Sequence, residues 1–135
     1  MTEGGCLCGQ VRYHFNAAPM AVVVCHCTHC QKQSGSAFST NVIVPAADFV
    51  VAGQETIFND TGDSGGKVER RFCNRCGSPI RSLIGNMPGI IALKAGTLDK
   101  PLDMKPAMQI WRRSAQSWID QLHGVAGFDT DPPAA

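Results

Sequence analysis

The sequence predicts an all-β domain with little helix, and the spacing of its apolar residues carries this prediction. They recur in short runs that glycine-rich or proline-containing turns separate, and apolar positions at helical spacing occur mainly near the C-terminus. At 135 residues, of which 44% are hydrophobic, the chain can bury one core of its own. We therefore expect a single domain over residues 1–123 and a loose tail over residues 124–135.

Most strands are predicted by short alternating or apolar segments. Val11, Tyr13 and Phe15 alternate with polar residues, which predicts a half-buried strand. Further strands are expected at residues 22–24, 38–44, 49–52, 56–58, 67–72, 79–84 and 90–93. Residues 59–66, rich in glycine and aspartate, should form an exposed loop.

The C-terminal third has mixed patterns. Met108, Ile110 and Trp111 predict a last strand. Residues 114–123 carry apolar side chains at helical spacing and predict one short helix.

Charge and hydropathy argue against several classes of function. The net charge is +1 and no dense run of Lys or Arg occurs, so we expect no nucleic-acid partner. No segment reaches the roughly 18 consecutive apolar residues of a membrane span, so we also expect no membrane partner. The first residues lack a charged-then-apolar signal segment, and we expect a cytoplasmic protein.

Seven cysteines fall into three close groups. The spacings are Cys6-x-Cys8, Cys25-x-Cys27-x-x-Cys30 and Cys73-x-x-Cys76. In a reducing compartment, such spacings indicate metal binding rather than disulfides. The disulfide alternative needs an oxidising compartment and leaves one thiol unpaired.

Two of these groups end in a glycine that lets backbone amides turn towards the thiolates. Gly9 follows the first pair and Gly77 follows the last. Together Cys6, Cys8, Cys73 and Cys76 make a complete zinc site with four thiolates. Because it joins distant parts of the chain, this site should contribute much of the folding free energy.

The remaining thiols, Cys25, Cys27 and Cys30, lie in a predicted tight loop after the apolar residues 20–24. Three protein ligands and an open position are typical of a catalytic zinc. Two alternatives remain. One of three histidines could complete a structural site, namely His26, His29 or His123. All seven thiols could instead form one pooled cluster.

The charge of a three-thiolate site favours sulfur chemistry. Zinc with three thiolates has a formal charge of −1 and activates water less well than zinc held by neutral histidines. Such a soft site suits a sulfur ligand from a substrate. The residues therefore favour thiol or thiol-adduct chemistry over hydrolysis.

Several polar and aromatic residues near the cysteine groups have either a functional or an ordinary structural role. Lys32 and Arg75 are expected to be solvated surface charges. Ser39 could bond a thiolate or substrate, although ordinary packing explains it at least as well. Trp111 could wall a pocket, but large aromatic residues more often belong to the core. His26 should point away from the metal.

The motifs stand in a fixed order along the chain. They are Gly5-Cys6-Leu7-Cys8-Gly9 followed by Val11-Arg12-Tyr13, Cys25-His26-Cys27-Thr28-His29-Cys30 followed by Ser34-Gly35-Ser36-Ala37-Phe38, Phe72-Cys73-Asn74-Arg75-Cys76-Gly77, and Gly96-Thr97-Leu98-Asp99. In this order the sequence resembles the glutathione-dependent formaldehyde-activating enzyme family, which includes the centromere protein V type of domain. The resemblance runs from about Gly4 to Ile119.

This resemblance implies a fold, a metal content and a reaction. The fold would be a β-tent, made of small antiparallel sheets pinned by zinc. Two zinc ions would be bound, a structural one by the four-cysteine set and a catalytic one by Cys25, Cys27 and Cys30. The reaction would be that of a carbon–sulfur lyase that reversibly joins formaldehyde and glutathione to S-hydroxymethylglutathione, with glutathione as a possible co-substrate.

Two function hypotheses follow. The first is a zinc lyase that acts on a thiol–aldehyde adduct, with a small thiol or thiol adduct as partner and a monomer or homodimer as the assembly. The second is a non-catalytic zinc module that binds a protein partner and uses both metals structurally. An open coordination position at the Cys25 loop distinguishes the first from the second.

Overall fold

The computed structural model describes residues 1–134, and strands dominate it. The strands are β1 (Thr2–Gly5), β2 (Arg12–Phe15), β3 (Ala21–Cys25), β4 (Ser39–Pro45), β5 (Val50–Ala52), β6 (Glu55–Thr61), β7 (Lys67–Cys73), β8 (Pro79–Ile84), β9 (Ile90–Lys94) and β10 (Met108–Ile110). One α-helix, α1, spans Thr28–Ser34, and 3-10 turns cover Ala95–Thr97, Arg112–Ser114 and Ile119–Gly124. The prediction of a mostly β fold with little helix is confirmed. Over this range, no helix has the length and apolarity that crossing a bilayer requires.

The strands form two sheets. A three-stranded antiparallel sheet has the order β1-β2-β5, and a seven-stranded sheet has the order β10-β3-β4-β9-β8-β7-β6. The larger sheet is antiparallel except at one edge, where β10 pairs in parallel with β3. One sheet is therefore larger, and more mixed, than the small antiparallel sheets that the resemblance implied.

Apolar side chains from both sheets form one buried cluster. Its members are Cys6, Val11, Tyr13, Phe15, Val22, Val42, Val44, Cys73, Ile80, Ile91 and Leu93. The alternation expected for residues 11–15 is confirmed, because Val11, Tyr13 and Phe15 are all buried here. Two cysteines belong to this cluster, so part of the first candidate metal site lies against the core.

Strand register brings chemically active residues to one end of the larger sheet. Cys25 is the last residue of β3 and pairs with Ser39 of β4. Two residues further along β4, Asn41 pairs with Lys94, the last residue of β9. A thiol, two polar side chains and a lysine therefore lie close together at this end of the sheet.

The predicted loop after Cys25 is wrong from Thr28 onward, where α1 forms. The Cys27 side chain caps the helix by accepting a hydrogen bond from the Cys30 amide, over 3.2 Å. Gly35 ends it in a left-handed conformation, and its amide donates to the Gln31 carbonyl over 2.9 Å. A cysteine supplies the cap that Ser, Thr, Asp or Asn usually supplies.

Two further elements differ from the prediction, one at the start of the chain and one near its middle. β1 was not predicted, because Gly4 and Gly5 have low strand propensity. Residues 59–61 belong to β6 rather than to the expected loop, because they continue its antiparallel pairing with β7.

The predicted helix over residues 114–123 does not form, and only 3-10 turns occur there. Trp118 is 43% exposed and Leu122 is 51% exposed, so the apolar stripe lacks the packing that stabilises a short helix. Trp111 lies just outside β10, because its left-handed backbone (φ 57°) ends the strand. The predicted tail is exposed over residues 124–134, and Ala135 lies outside the described residues.

Candidate metal centres

Cys6, Cys8, Cys73 and Cys76 form the four-cysteine cluster, in which all sulfur atoms lie within 4.8 Å of one another. The Cys6 and Cys8 sulfurs are 3.6 Å apart, and the Cys8 and Cys73 sulfurs are 3.8 Å apart. In a tetrahedron with zinc–sulfur bonds of 2.3 Å, two sulfurs are about 3.8 Å apart. A disulfide needs about 2.05 Å. The cluster therefore fits zinc and not a disulfide.

Backbone and amide donors surround these sulfurs. The Cys6 sulfur accepts from the Val11 amide over 3.2 Å. The Cys73 sulfur accepts from the amides of Arg75 and Cys76 and from Nε2 of Gln10, over 3.3, 3.4 and 3.3 Å. Hydrogen bonds of this kind stabilise thiolates, which are the form that binds metal.

The thiol pKa values in this cluster are shifted in both directions. Although the Gln10 amide lowers it, desolvation and hydrogen bonds with the other three thiols raise the pKa of Cys8 to about 11. A hydrogen bond with Ser78 and nearby backbone donors lower the pKa of Cys76 to about 5. The Cys76 and Arg75 amides lower the pKa of Cys73. Two of the four thiols are therefore prepared for deprotonation by the protein itself.

Cys25, Cys27 and Cys30 form the three-cysteine cluster, whose sulfur atoms also lie within 4.8 Å of one another. Cys25 ends β3 and is buried, whereas Cys27 and Cys30 are partly buried at the start of α1. Among residues 1–134, no fourth His, Cys, Asp or Glu joins this group. The two clusters are separate, so the pooled arrangement of all seven thiols is not formed.

The three candidate histidines make other contacts or lie at the surface. Nε2 of the fully buried His26 is 2.8 Å from Oε1 of Gln109. The His29 ring lies between two carboxylates, with Nδ1 2.8 Å from Asp60 and Nε2 3.2 Å from Asp63. His123 is exposed in the last 3-10 turn. The geometry therefore leaves the fourth position free of a histidine.

The cavity beside the three-cysteine cluster, which we call the thiol cavity, has a volume of about 220 Å³. Its walls come from several strands and from the segment that follows β10. The lining residues that matter for chemistry are Cys25, Cys27, Cys30, Arg70, Lys94 and Trp111. Trp111 is thus a pocket wall, one of the two roles that the sequence left open.

Two buried cations face this cavity, and the sequence reasoning missed both. Arg70 is only 5% exposed, and its Nε donates to Asp60 Oδ2 over 2.8 Å. Lys94 is only 7% exposed, and its Nζ donates to Ser39 Oγ over 2.7 Å and to Asn41 Oδ1 over 3.0 Å. Ser39 therefore bonds a cation rather than a thiolate.

The surroundings of the three thiols lower the pKa of one and raise the pKa of the other two. Hydrogen bonds from the Cys25 and Cys27 thiols lower the pKa of Cys30 to about 5, and the charges of Lys94 and Arg70 add to this effect. The shared hydrogen bond with Cys30, together with burial, raises the pKa of Cys25. Burial and the same neighbour raise the pKa of Cys27. The surroundings therefore favour the thiolate form at Cys30 over that at Cys25 and Cys27.

A second depression, which we call the outer groove, has a volume of about 660 Å³ and adjoins the thiol cavity. His29 and Arg70 line both spaces. Phe58 and Phe72 give the groove an apolar wall, and Lys32 adds an exposed cation. Lys32 and Arg75 are both exposed, as predicted.

The fold and the two clusters define a class: a small β protein with one complete candidate metal site of four cysteines and one incomplete candidate site beside a cavity. The sequence profile of the glutathione-dependent formaldehyde-activating enzymes matches residues 1–114. The chain belongs to that family. Membership suggests a glutathione-dependent, formaldehyde-activating type of activity and a lyase-like enzyme.

The comparison with solved structures adds information on the fold alone. A crystal structure of a Rhodobacter sphaeroides protein, from the Northeast Structural Genomics effort, matches with a TM-score of 0.61. The two chains are 17% identical, and the match covers 79% of this chain and 98% of the other. No curated protein matches this chain significantly in sequence.

Proposed function

We propose that the protein is a zinc-dependent carbon–sulfur lyase that forms and cleaves a thiol–formaldehyde adduct such as S-hydroxymethylglutathione. The observation that carries the proposal is the three-cysteine cluster with no fourth protein ligand among residues 1–134, placed against a cavity. Three ligands and an open position are the arrangement of catalytic zinc sites.

The residues of each cluster fit different tasks. Cys6, Cys8, Cys73 and Cys76 would hold a structural zinc, because their sulfurs complete a tetrahedron against the core. Cys25, Cys27 and Cys30 would hold the catalytic zinc. When bound there, zinc would supply a positive centre at which a thiol loses its proton.

The shape of the site suits a small reacting end on a larger molecule. The thiol cavity, at about 220 Å³, has room for a thiol sulfur and a one-carbon unit. The outer groove, at about 660 Å³, falls in the usual range for small-molecule sites and would take the rest of the thiol substrate. Lys32 would attract a substrate carboxylate at its rim. Glutathione, which has two carboxylates, matches this division.

The chain would assist the reaction by positioning its partners. Asp60 and Asp63 fix the His29 ring between them, and Arg70 fixes Asp60. These contacts hold the wall shared by the two spaces in one arrangement. Holding a thiol and an aldehyde together in a small cavity is a large source of rate enhancement.

The test is exchange of carbon-13 formaldehyde with its glutathione adduct at equilibrium, followed by two-dimensional NMR. The zinc-loaded protein should exchange the two species at least about tenfold faster than buffer does. Cys27→Ser should lose this acceleration, whereas Ser36→Ala, a matched control just beyond α1, should keep it. Absence of acceleration in wild-type protein with both sites loaded would contradict the proposal and favour the zinc-module alternative.

A further inference from the structure

Lys94 is a buried cation whose charge has no carboxylate partner. It is only 7% exposed, and within residues 1–134 its ammonium group bonds two neutral oxygens, those of Ser39 and Asn41. Arg70, the other buried cation of the cavity, is balanced by Asp60. Burying a charge is costly, and the groups that could balance Lys94 are the thiolates of the three-cysteine cluster, which line the same cavity. The reason for its charge therefore lies at this site.

The position of Lys94 suggests the reason. It ends β9 at the same end of the sheet as Cys25, and both residues line the thiol cavity. An ammonium group has three N–H donors, and Ser39 and Asn41 accept two of them. Those two bonds orient the amine and leave one donor for a group inside the cavity.

We propose that Lys94 is a catalytic residue that binds the aldehyde-derived oxygen and stabilises the negative charge it gains. This inference rests on the proposed lyase function. The cavity is small enough that a one-carbon unit attached to the substrate sulfur would meet the lysine. Preorganised donors aimed at a developing oxyanion are usually the largest single contribution to catalysis in such sites.

The chemical step balances without any further reactant. In the synthetic direction the thiol sulfur forms a bond to the carbonyl carbon, the carbon–oxygen π bond breaks, and its electron pair goes to oxygen. The proton that the thiol gives up is returned to that oxygen, so the product is a hydroxymethyl thioether. In the reverse direction the carbon–sulfur bond breaks, and the oxygen loses its proton as the carbonyl forms again. Lys94 stabilises the charged oxygen in both directions.

A simpler role for Lys94 has to be separated from this one. It could serve only as a counter-charge to the three-cysteine cluster: burial lowers the pKa of Lys94, and the nearby thiolates offset part of that shift. In that case its removal would weaken metal binding. A role in catalysis predicts instead that metal binding survives and turnover falls.

The experiment compares Lys94→Met, Lys94→Arg and Lys100→Met, an exposed control outside the cavity. We expect Lys94→Met to lower kcat of the exchange reaction by about 10²- to 10³-fold, with KM for glutathione within threefold of wild type. Lys94→Arg should recover part of the loss because it keeps a cation. Lys100→Met should match wild type. A Lys94→Met kcat within threefold of wild type would overturn the proposal.

Two readouts besides activity exclude the simpler roles. Zinc affinity, measured by competition with a chromophoric chelator, should stay within tenfold in Lys94→Met. Its thermal midpoint should be no lower than that of wild type, because methionine fills similar space without the cost of burying a charge, and Ser39 still donates to Asn41. A larger loss of zinc affinity, or a lower midpoint, would assign Lys94 to metal binding or to stability and overturn the catalytic role.

Formate supplies a test that does not depend on turnover. This one-carbon oxyanion should bind zinc-loaded wild type and Lys100→Met alike, and bind Lys94→Met at least tenfold more weakly, by carbon-13 NMR titration. Equal binding by all three proteins, or no binding to wild type, would overturn the oxyanion role. If wild type does not accelerate exchange, the lyase function fails, and the formate titration alone decides whether Lys94 forms an oxyanion site.

Discussion

The two cysteine clusters use the same ligand atom, but the protein balances their charge by different means. In the four-cysteine cluster, backbone amides and Gln10 donate to the sulfurs, and part of the site joins the apolar core. In the three-cysteine cluster, the charge is met by Lys94 and Arg70, two buried side chains that border a cavity. The first set lies partly at the surface, where Cys8 is exposed, and the second borders a cavity.

This difference shows how a site suited to a structural metal can be distinguished from a site suited to a catalytic metal. Four thiolates would complete the tetrahedral coordination of a zinc ion and leave no position for a substrate. Buried cations beside three thiolates are costly to desolvate, but at the wall of a cavity they can also meet an anionic group of a substrate. Charged groups buried beside a cavity in this way are typical of functional sites.

The largest effect should come from breaking the four-cysteine cluster. Cys76→Ser removes one of four ligands that join the first β-hairpin to the end of β7. Structural zinc in zinc-finger peptides contributes about 10–16 kcal/mol, which matches or exceeds the total stability of about 5–15 kcal/mol of a typical domain. We expect Cys76→Ser to unfold or aggregate, as seen by circular dichroism and size-exclusion chromatography. A folded Cys76→Ser protein would remove the structural role from this cluster.

Breaking the other cluster should leave the fold intact. Cys27→Ser should lose one of two zinc ions by elemental analysis and keep a cooperative thermal transition. The cap at α1 survives in part, because serine is itself a good helix cap. If Cys27→Ser unfolds as completely as Cys76→Ser does, both metals are structural and the contrast between the clusters disappears.

Acid should release the two metals in order. Zinc ligands must be deprotonated, so protons compete with the metal as pH falls. Each cluster holds thiols whose pKa is raised and thiols whose pKa is lowered, so the thiol pKa values do not set the order. The four-cysteine cluster offers four protein ligands to its metal and the three-cysteine cluster only three, so the latter should hold its metal less firmly. Lowering the pH from about 8 to 4 should therefore free one zinc before the fold is lost and the second zinc together with the fold. Simultaneous release, measured with a zinc-sensitive dye, would contradict this order.

A pair of glycine substitutions should give smaller and unequal effects near the two clusters. At Gly53 (φ +95°) an added Cβ would lie 2.1 Å from the carbonyl oxygen of Gln10, beside the four-cysteine cluster. At Gly35 (φ +67°), which ends α1, it would meet nothing within 4 Å. We expect Gly53→Ala to cost about 3–5 kcal/mol and Gly35→Ala about 1–2 kcal/mol, by denaturant titration. Equal costs would mean that backbone strain alone decides both sites.

The sequence predicted most strands and the division of the thiols, because both depend on local spacing. The alternation of apolar and polar residues predicted the strand over residues 11–15. The glycines that follow Cys8 and Cys76 indicated that these two cysteine pairs form one metal site. Helix α1 was missed because its cap is a cysteine, which the usual capping preferences do not include. The helix predicted over residues 114–123 does not form because its apolar side chains have no surface to pack against.

The walls of the thiol cavity could not be predicted, because they depend on pairing between distant strands. The predicted strand over residues 90–93 ended just before Lys94. Lys94 and Cys25 lie at the same end of the sheet only because both of their strands pair with β4. Arg70 was hidden in a weakly alternating strand, and its partner Asp60 was assigned to a loop. Gln109 holds His26 away from the cluster, and Asp60 and Asp63 hold His29 away from it. These partners are distant in sequence from the histidines that they contact.

The central claim is that the three-cysteine cluster leaves a position open for a substrate thiol, whereas the four-cysteine cluster does not. Cobalt substitution tests it directly, because the cobalt–thiolate absorption bands grow with each thiolate bound. Glutathione titrated into wild type should give a saturable rise that corresponds to one added thiolate, and the rise should be absent in Cys27→Ser. Cysteine and a simple alkyl thiol, titrated in parallel, rank the preference for the thiol. An unchanged spectrum with every thiol would mean that the position is closed, and would contradict the account.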